Sequence, residues 1–255
     1  MKIPRFYQKD SFNINQTIEL SAENHRHAVQ VLRLNKDAPL ILFNGEGGEF
    51  LAKLVDVKKR HSTALIMLFD PVDRESSLEI SLILAVIKPE KMDFAIQKAV
   101  EMGVSKVQPL YSQRSVIKLK ANRLDKKMLH WQGVVNSACE QSGRTLIPQI
   151  GEPVNFNDCL NALSTVGSDE LNLVMLPGDS PSLNQIEVAV NEGANKKSVT
   201  LMIGPEGGFT QDEENQMFAS KDTNITGVSF GPRILRAETA VIAGITACQL
   251  RWGDL

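Results

Sequence analysis

The stretch Leu201-Met202-Ile203-Gly204-Pro205-Glu206-Gly207-Gly208-Phe209-Thr210-Gln211-Asp212-Glu213 decides how this chain folds. It runs from an apolar segment, 198–203, through a glycine-rich loop into Thr210-x-x-Glu213. That spacing is a capping box, in which a hydroxyl and a carboxylate satisfy the first amides of a helix. A buried strand that ends in a loop and gives way at once to a helix is the repeating unit of a parallel α/β sheet. Two other apolar segments end alike: 171–176 runs into Pro177-Gly178-Asp179-Ser180, and 225–230 runs into Gly231-Pro232-Arg233-Ile234-Leu235-Arg236-Ala237-Glu238-Thr239. Ligands of open parallel sheets bind beyond the carboxyl ends of the strands, so these three loops are predicted to form one pocket.

Upstream, the same alternation continues. Residues 80–87 read as a fully buried strand, and Met92, Ile96, Ala99 and Val100 recur at helical spacing up to Gly103, a residue suited to the position just past a helix end. A strand is predicted at 104–110, a helix-rich stretch at 122–142 and a final apolar helix at 240–250, while 152–170 shows no firm element. The first seventy residues have another texture. Strands at 39–44 and 63–69, alternation through Phe50, Ala52 and Leu54, and the turn Asn44-Gly45-Glu46-Gly47-Gly48 predict a small β-barrel. One helix interrupts it, capped by Ser21 and carrying His25, Arg26, His27 and Arg33. The polar run 70–77 is the linker, which gives domains 1–72 and 73–255.

With 255 residues, 42% of them hydrophobic and 23% charged, the chain has the composition of a globular protein rather than a disordered or fibrous one. The apolar run 80–87 is far shorter than the ~20 residues of a membrane helix, and the first ten residues contain no signal-peptide core, so a cytoplasmic protein is expected. Cys139, Cys159 and Cys248 are odd in number and widely spaced, which supports neither disulfides nor zinc, and His25 with His27 lacks a third ligand, so no metal is expected. The net charge of -2 conceals segregation. Residues 1–72 hold 10 basic and 8 acidic side chains, 88–144 hold 11 and 5, and 145–255 hold 6 and 14. A basic middle segment can mark a surface for a polyanion; a solvated lysine face, as with Lys118, Lys120, Lys126 and Lys127, is the alternative.

The chemistry of the glycine loop argues against its obvious rival, a phosphate site. It has neither GxxxxGK[ST] nor GxGxxG, and Glu206 would repel a phosphate held on the loop amides. An acidic residue there suits an amine or the hydroxyls of a ribose; a tight turn without a ligand is the alternative. The run 230–240 sets Arg233, Arg236 and Glu238 between a strand and the last helix, where they serve either chemistry or a helix cap with an ion pair. A third run, Glu140-Gln141-Ser142-Gly143-Arg144, closes the basic segment.

Glu140–Arg144, the Gly204–Gly208 loop and Phe230–Ala240, in that order and followed by a last helix, resemble the RsmE family of 16S ribosomal RNA (uracil-N3) methyltransferases of the SPOUT superfamily. The resemblance covers the whole chain. Ile3–Tyr7 and His27-x-x-x-Val31-Leu32-Arg33 are similar to the family's RNA-binding domain, related to the PUA fold. Lys88, Lys91, Gln97, Lys98, Glu101, Gly103, Val104, Pro109 and Arg114-Ser115 resemble its middle signature, with Met102 in place of the usual leucine. The resemblance implies a PUA-like β-barrel followed by a trefoil-knotted α/β domain, dimerisation through that C-terminal domain, S-adenosyl-L-methionine as cofactor, and 16S rRNA or the 30S subunit as partner. It places the methyl donor among Leu176, Pro177 and Gly178, Ile203, Gly204, Pro205, Glu206 and Gly207, and Phe230, Gly231, Ile234, Leu235, Arg236 and Thr239 as cofactor-binding residues.

In-line methyl transfer needs alignment and exclusion of water rather than an enzyme nucleophile. Uracil N3 must also lose a proton, so Arg236 is the expected stabiliser of the imide anion and Glu238 its orienter or the base. Arg5, His27, Arg33, Lys88, Lys91, Arg114 and Arg144 are the expected RNA contacts, and Glu140 a structural support. Two other functions compete: a non-catalytic RNA-binding or ribosome-assembly protein of the same fold, which would predict degraded pocket loops, and a methyltransferase for another RNA position.

Overall fold

The computed structural model describes residues 3–115, 121–164, 171–178, 180–186, 197–219 and 224–255. Lys118, Lys120 and Asp179 lie outside them. The chain divides into two compact units, 1–75 with 136–147, and 76–135 with 148–255.

The first unit begins with β1 (Arg5–Tyr7) and β2 (Thr17–Glu19), and a helical segment follows. Its first turn, α1 (Ala22–His25), is capped as the sequence predicts, with the Asn24 amide donating to Ser21 Oγ at 3.1 Å. It widens into a π-helix over Arg26–Val31 and ends there, so Arg33 lies beyond the helix in a left-handed backbone conformation rather than on it. Strands β3 (Pro39–Phe43), β4 (Glu49–Val57) and β5 (Ser62–Asp70) complete a five-stranded sheet of order β1-β3-β4-β5-β2. Pairing is antiparallel except between β1 and β3. Phe6, Leu40, Leu42, Ala52, Leu54, Ala64 and Ile66 form its buried core, as strand alternation requires.

In the second unit β6 (Leu78–Ala85) leads to α2 (Pro89–Glu101). Proline at the first helical position loses no hydrogen bond, and Gly103 takes φ of 90° just past the helix end, where a Cβ would also come within 2.7 Å of the Gln249 amide. Then come β7 (Val104–Tyr111), α3 (Ala121–Ser142), β8 (Gln149–Ile150), β9 (Val154–Asn155), α4 (Phe156–Ser164), β10 (Leu171–Met175), β11 (Lys197–Ile203), α5 (Gln211–Ala219), β12 (Ile225–Val228) and α6 (Ala237–Trp252). The last turns of α3 count with the first unit. The strands form one parallel sheet of order β12-β10-β11-β6-β7-β8, with β9 also on β7. Strand β11 follows β10 in the chain yet lies between β10 and β6, and β6 is buried on both faces from Leu82 onward, which is why that part reads as a continuous apolar run.

Three differences from the sequence expectation have physical causes. Residues 152–170 hold β9 and α4; Phe156, Cys159 and Leu163 bury one helical face, a pattern diluted by the asparagines and aspartate between them. The polar run 70–77 is engaged rather than free: Arg74 pairs with Glu49 at 3.1 Å, and Glu75 accepts from Arg144 Nε at 2.9 Å. Residues 136–147 join the first unit because Arg5 donates to the carbonyls of Cys139 at 2.8 Å and Arg144 at 3.1 Å.

Candidate functional site

Three loops leave the parallel sheet at the ends of β10, β11 and β12, and together they enclose a cavity of about 340 Å³. Its walls include Leu176 and Pro177, Ile203, Gly204, Pro205, Glu206 and Gly207, and Phe230, Gly231, Ile234 and Leu235. The pocket predicted from the ends of three apolar segments is therefore a single space. Gly178, Arg236 and Thr239 do not line it. Met175, Gly208, Phe209, Glu214, Arg233, Ala237 and Ala240 do, and sequence reasoning did not select them as site residues. All but Met175 carried a signal: Gly208, Arg233, Ala237 and Ala240 lie inside the recognised runs, and Phe209 and Glu214 immediately follow Gly208 and Glu213.

The loop between β11 and α5 is held from both sides. Thr210 N donates to Glu213 Oε2 at 2.8 Å and Glu213 N donates to Thr210 Oγ1 at 3.2 Å, so the predicted capping box is formed. The other oxygen of the buried Glu213 accepts from the Gln113 amide at 2.8 Å, which ties the segment after β7 to the same box. Arg114 Nη1 donates to the carbonyls of Gly207 at 2.7 Å and Phe209 at 3.1 Å. A Cβ at Gly204 would stand 3.1 Å from the Phe209 ring, so a side chain there would require the ring to give by a few tenths of an ångström.

Lys91, in the first turn of α2, reaches Glu206 Oε1 at 3.8 Å and Glu238 Oε1 at 3.6 Å. Glu238 lies in the first turn of α6, where a carboxylate is favoured by the helix dipole. Its Oε2 is buried and has no hydrogen-bond partner. Arg236 occupies the N-cap position of α6 without a side-chain cap bond and is exposed. Among the described residues no hydrogen bond or ion pair joins Arg236 to Glu238.

The expected RNA contacts separate into groups. His27, Arg33 and Lys88 are exposed. Arg114 braces the cavity loop, and Lys91 is held between two carboxylates. Arg5 and Arg144 are corrected: both are buried, Arg5 against Glu49 at 2.9 Å and Arg144 against Glu75, so neither guanidinium is available to a phosphate. Glu140 accepts from the Tyr7 amide at 2.9 Å, the structural role expected of it, and burial raises its pKa. Burial pushes the thiols of Cys139 and Cys248 up to about 12 and that of Cys159 to about 11, which makes them inert as nucleophiles. Among the described residues no group of three or more His, Cys, Asp or Glu side chains is arranged to hold a metal ion, and no helix is long and apolar enough to cross a membrane.

The cavity has the size of a small-molecule site, ~300–1,000 Å³. Apolar walls from Leu176, Ile203, Phe209, Ile234 and Leu235 suit a flat heterocycle, and Glu206 and Glu214 suit an ammonium or ribose hydroxyls. A nucleoside linked to an amino acid, lacking phosphate, fits this set of donors and acceptors.

Comparison with known proteins agrees with the geometry. A family model described as an RNA methyltransferase domain matches residues 74–249, and one described as an RNA methyltransferase PUA domain matches 20–67. The chain is 36% identical over its whole length to the ribosomal RNA small subunit methyltransferase E of Buchnera aphidicola from Schizaphis graminum, covering 98% of that protein. A relative of the same name from Bacillus subtilis is 28% identical over 91% of this chain and 89% of its own length. Among solved structures, ribosomal RNA small subunit methyltransferase E of Neisseria gonorrhoeae, bound to S-adenosyl methionine, superposes with a TM-score of 0.87 at 35% identity, with both chains covered completely. A putative methyltransferase of Legionella pneumophila, also in complex with that cofactor, gives 0.91 at 34% identity, again over both whole chains. The chain belongs to the ribosomal RNA small subunit methyltransferase E family.

Proposed function

We propose that this chain is an S-adenosylmethionine-dependent methyltransferase that methylates N3 of a uridine in 16S ribosomal RNA, either free or in the 30S subunit. The observation that carries the reading is the convergence of three glycine- and proline-containing loops on one cavity, with Glu206 and Arg233 on its wall and Arg236 at the start of the adjoining helix. The cofactor would be held by Leu176 and Pro177, the 203–207 loop, and Phe230, Gly231, Ile234 and Leu235. When bound, it supplies a methyl group on a sulfonium, whose S–C bond breaks toward sulfur as the new N–C bond forms.

The protein's own residues supply orientation and proton transfer. Arg114 and the Thr210–Glu213 box fix the loop that positions the donor. Glu238 accepts the N3 proton at Oε2, the oxygen without an internal partner. Arg236 stabilises the negative charge left on the imide. RNA phosphates are met by His27 and Arg33 in the first unit and by Lys88 in the second, all exposed. A homodimer through the C-terminal domain belongs to this reading, supported by the exposed Ile234 and Leu250. So does the knotted crossing, supported by β11 lying between β6 and β10. A cytoplasmic location also belongs to this reading, supported by a ribosomal RNA substrate.

Mass mapping of 16S rRNA from a deletion strain tests substrate, atom and reaction together: one uridine should lose a methyl group, and an unchanged map would sink the proposal. Arg236→Ala should slow methylation ~100-fold while changing cofactor affinity, measured by calorimetric titration, less than about threefold. Equal losses in rate and affinity would make Arg236 a binding residue instead.

A further inference from the structure

Glu206, on the cavity loop, and Glu238, at the start of α6, belong to different segments, and both carboxylates turn toward one cation. Lys91 Nζ lies 3.8 Å from the first and 3.6 Å from the second, within ion-pair reach of both but hydrogen-bonded to neither. Side-chain exposures of 25% for Lys91, 28% for Glu206 and 16% for Glu238 place the cluster where solvent screening is reduced without being abolished. Two of the joined segments are walls of the cavity: Glu206 lines it directly, and so does Ala237, the residue before Glu238. Glu238 turns Oε1 toward Lys91 and keeps Oε2 buried without a partner. A buried acceptor left empty is costly, so its retention beside the cavity points to a donor that arrives with the substrate.

We propose that Lys91 is a positioning residue for methyl transfer: its ammonium holds the Glu206 loop and the first turn of α6 in register and aims Glu238 so that Oε2 receives the N–H of the target base. This rests on the function proposed above. It assigns Lys91 to the reacting centre rather than to the RNA backbone. A single lysine relieves the repulsion between two carboxylates drawn from separate segments, and it does so from α2, which lines no part of the cavity itself. The long distances matter, because an ammonium bonded tightly to Glu238 would compete with the incoming donor.

The test uses the full-length protein with unmodified small ribosomal subunits under single-turnover conditions at saturating S-adenosylmethionine. Lys91→Met should lower the rate ~30-fold, while the cofactor dissociation constant from calorimetry rises by no more than about threefold and the melting temperature of the protein alone shifts by less than about 2 °C. Lys91→Arg, which keeps the charge and can span both carboxylates, should recover the rate to within about threefold of the parent. A Lys91→Met rate within twofold of the parent overturns the inference and leaves the function standing. Equal loss in Lys91→Met and Lys91→Arg with a lowered melting temperature also overturns it, by showing a structural strut. A parent protein that binds the cofactor but methylates no small-subunit RNA overturns the function and the inference together.

Discussion

Glu49 in the first unit and Glu238 in the second are both carboxylates set among cations, and the contrast between them separates a fastening from a working site. Glu49 is 8% exposed at its side chain and Arg5 beside it 5%, and the carboxylate is paired with both cations, at 2.9 Å to Arg5 and at 3.1 and 3.4 Å to Arg74. The donors of Arg5 left over from Glu49 are used on main-chain carbonyls. Burial alone would raise the Glu49 carboxyl, but the hydrogen bonds and charges of Arg74 and Arg5 outweigh it and hold its pKa below the ordinary value. Glu238 has one cation at 3.6 Å and one oxygen with no partner. In the first, closed cluster the buried Glu49 and Arg5 are fully paired with one another and with their neighbours, whereas in the second, open one a carboxylate oxygen has no internal partner.

The largest effect should come from opening the closed cluster. Glu49→Ala leaves the buried Arg5 guanidinium without its counter-charge, and loss of one partner of a buried pair costs ~3–5 kcal/mol. Urea denaturation should show that loss; a drop below ~1 kcal/mol would mean that water already enters the cluster. A smaller effect is expected at Glu213, which is closed like Glu49 yet frames the cavity loop like Glu206. Glu213→Ala removes acceptors for the Thr210 and Gln113 amides and should cost ~1–2 kcal/mol in stability, with weaker cofactor binding by calorimetry. Unchanged affinity would show that the capping box stabilises α5 without shaping the cavity.

The open site was far more legible in the sequence than the closed cluster. Its loops announce themselves through glycine and proline at the ends of apolar runs, because close backbone approach and tight turns restrict which residues can stand there. Thr210 and Glu213 were legible for a related reason: a capping box is local, spanning four residues. Arg5 and Arg144 were misread because an arginine's burial depends on partners 44 to 139 residues away, which leave no periodic trace. The return of 136–147 to the first unit was hidden for the same cause, since carbonyl acceptors have no sequence signature. The place of β11 between β10 and β6 was equally invisible, because strand order depends on crossovers and not on composition. Glu238 was identified as a candidate, but its link to Lys91 joins α2 to α6 and needed coordinates.

The smallest expected effect sharpens the comparison most finely, because it reverses sign. Glu140 accepts one amide hydrogen bond from Tyr7, and burial raises its pKa, in contrast to the lowered value at Glu49. A carboxyl whose folded-state pKa is raised contributes stability that is present at acid pH and is lost as pH rises through the folded value. A lowered one contributes stability above the unfolded value, lost as pH falls through the folded one. Glu140→Gln keeps an oxygen for the Tyr7 amide while removing the titration, so its stability relative to the parent should improve from acid toward neutral pH, by less than ~1 kcal/mol. Glu49→Gln should do the reverse, its deficit growing over the same interval. Parallel melting curves for both variants between about pH 4 and 8 check the signs. Parallel trends in the two would show that Glu140 is charged and paired in the folded protein, and that its burial is not what sets its energy.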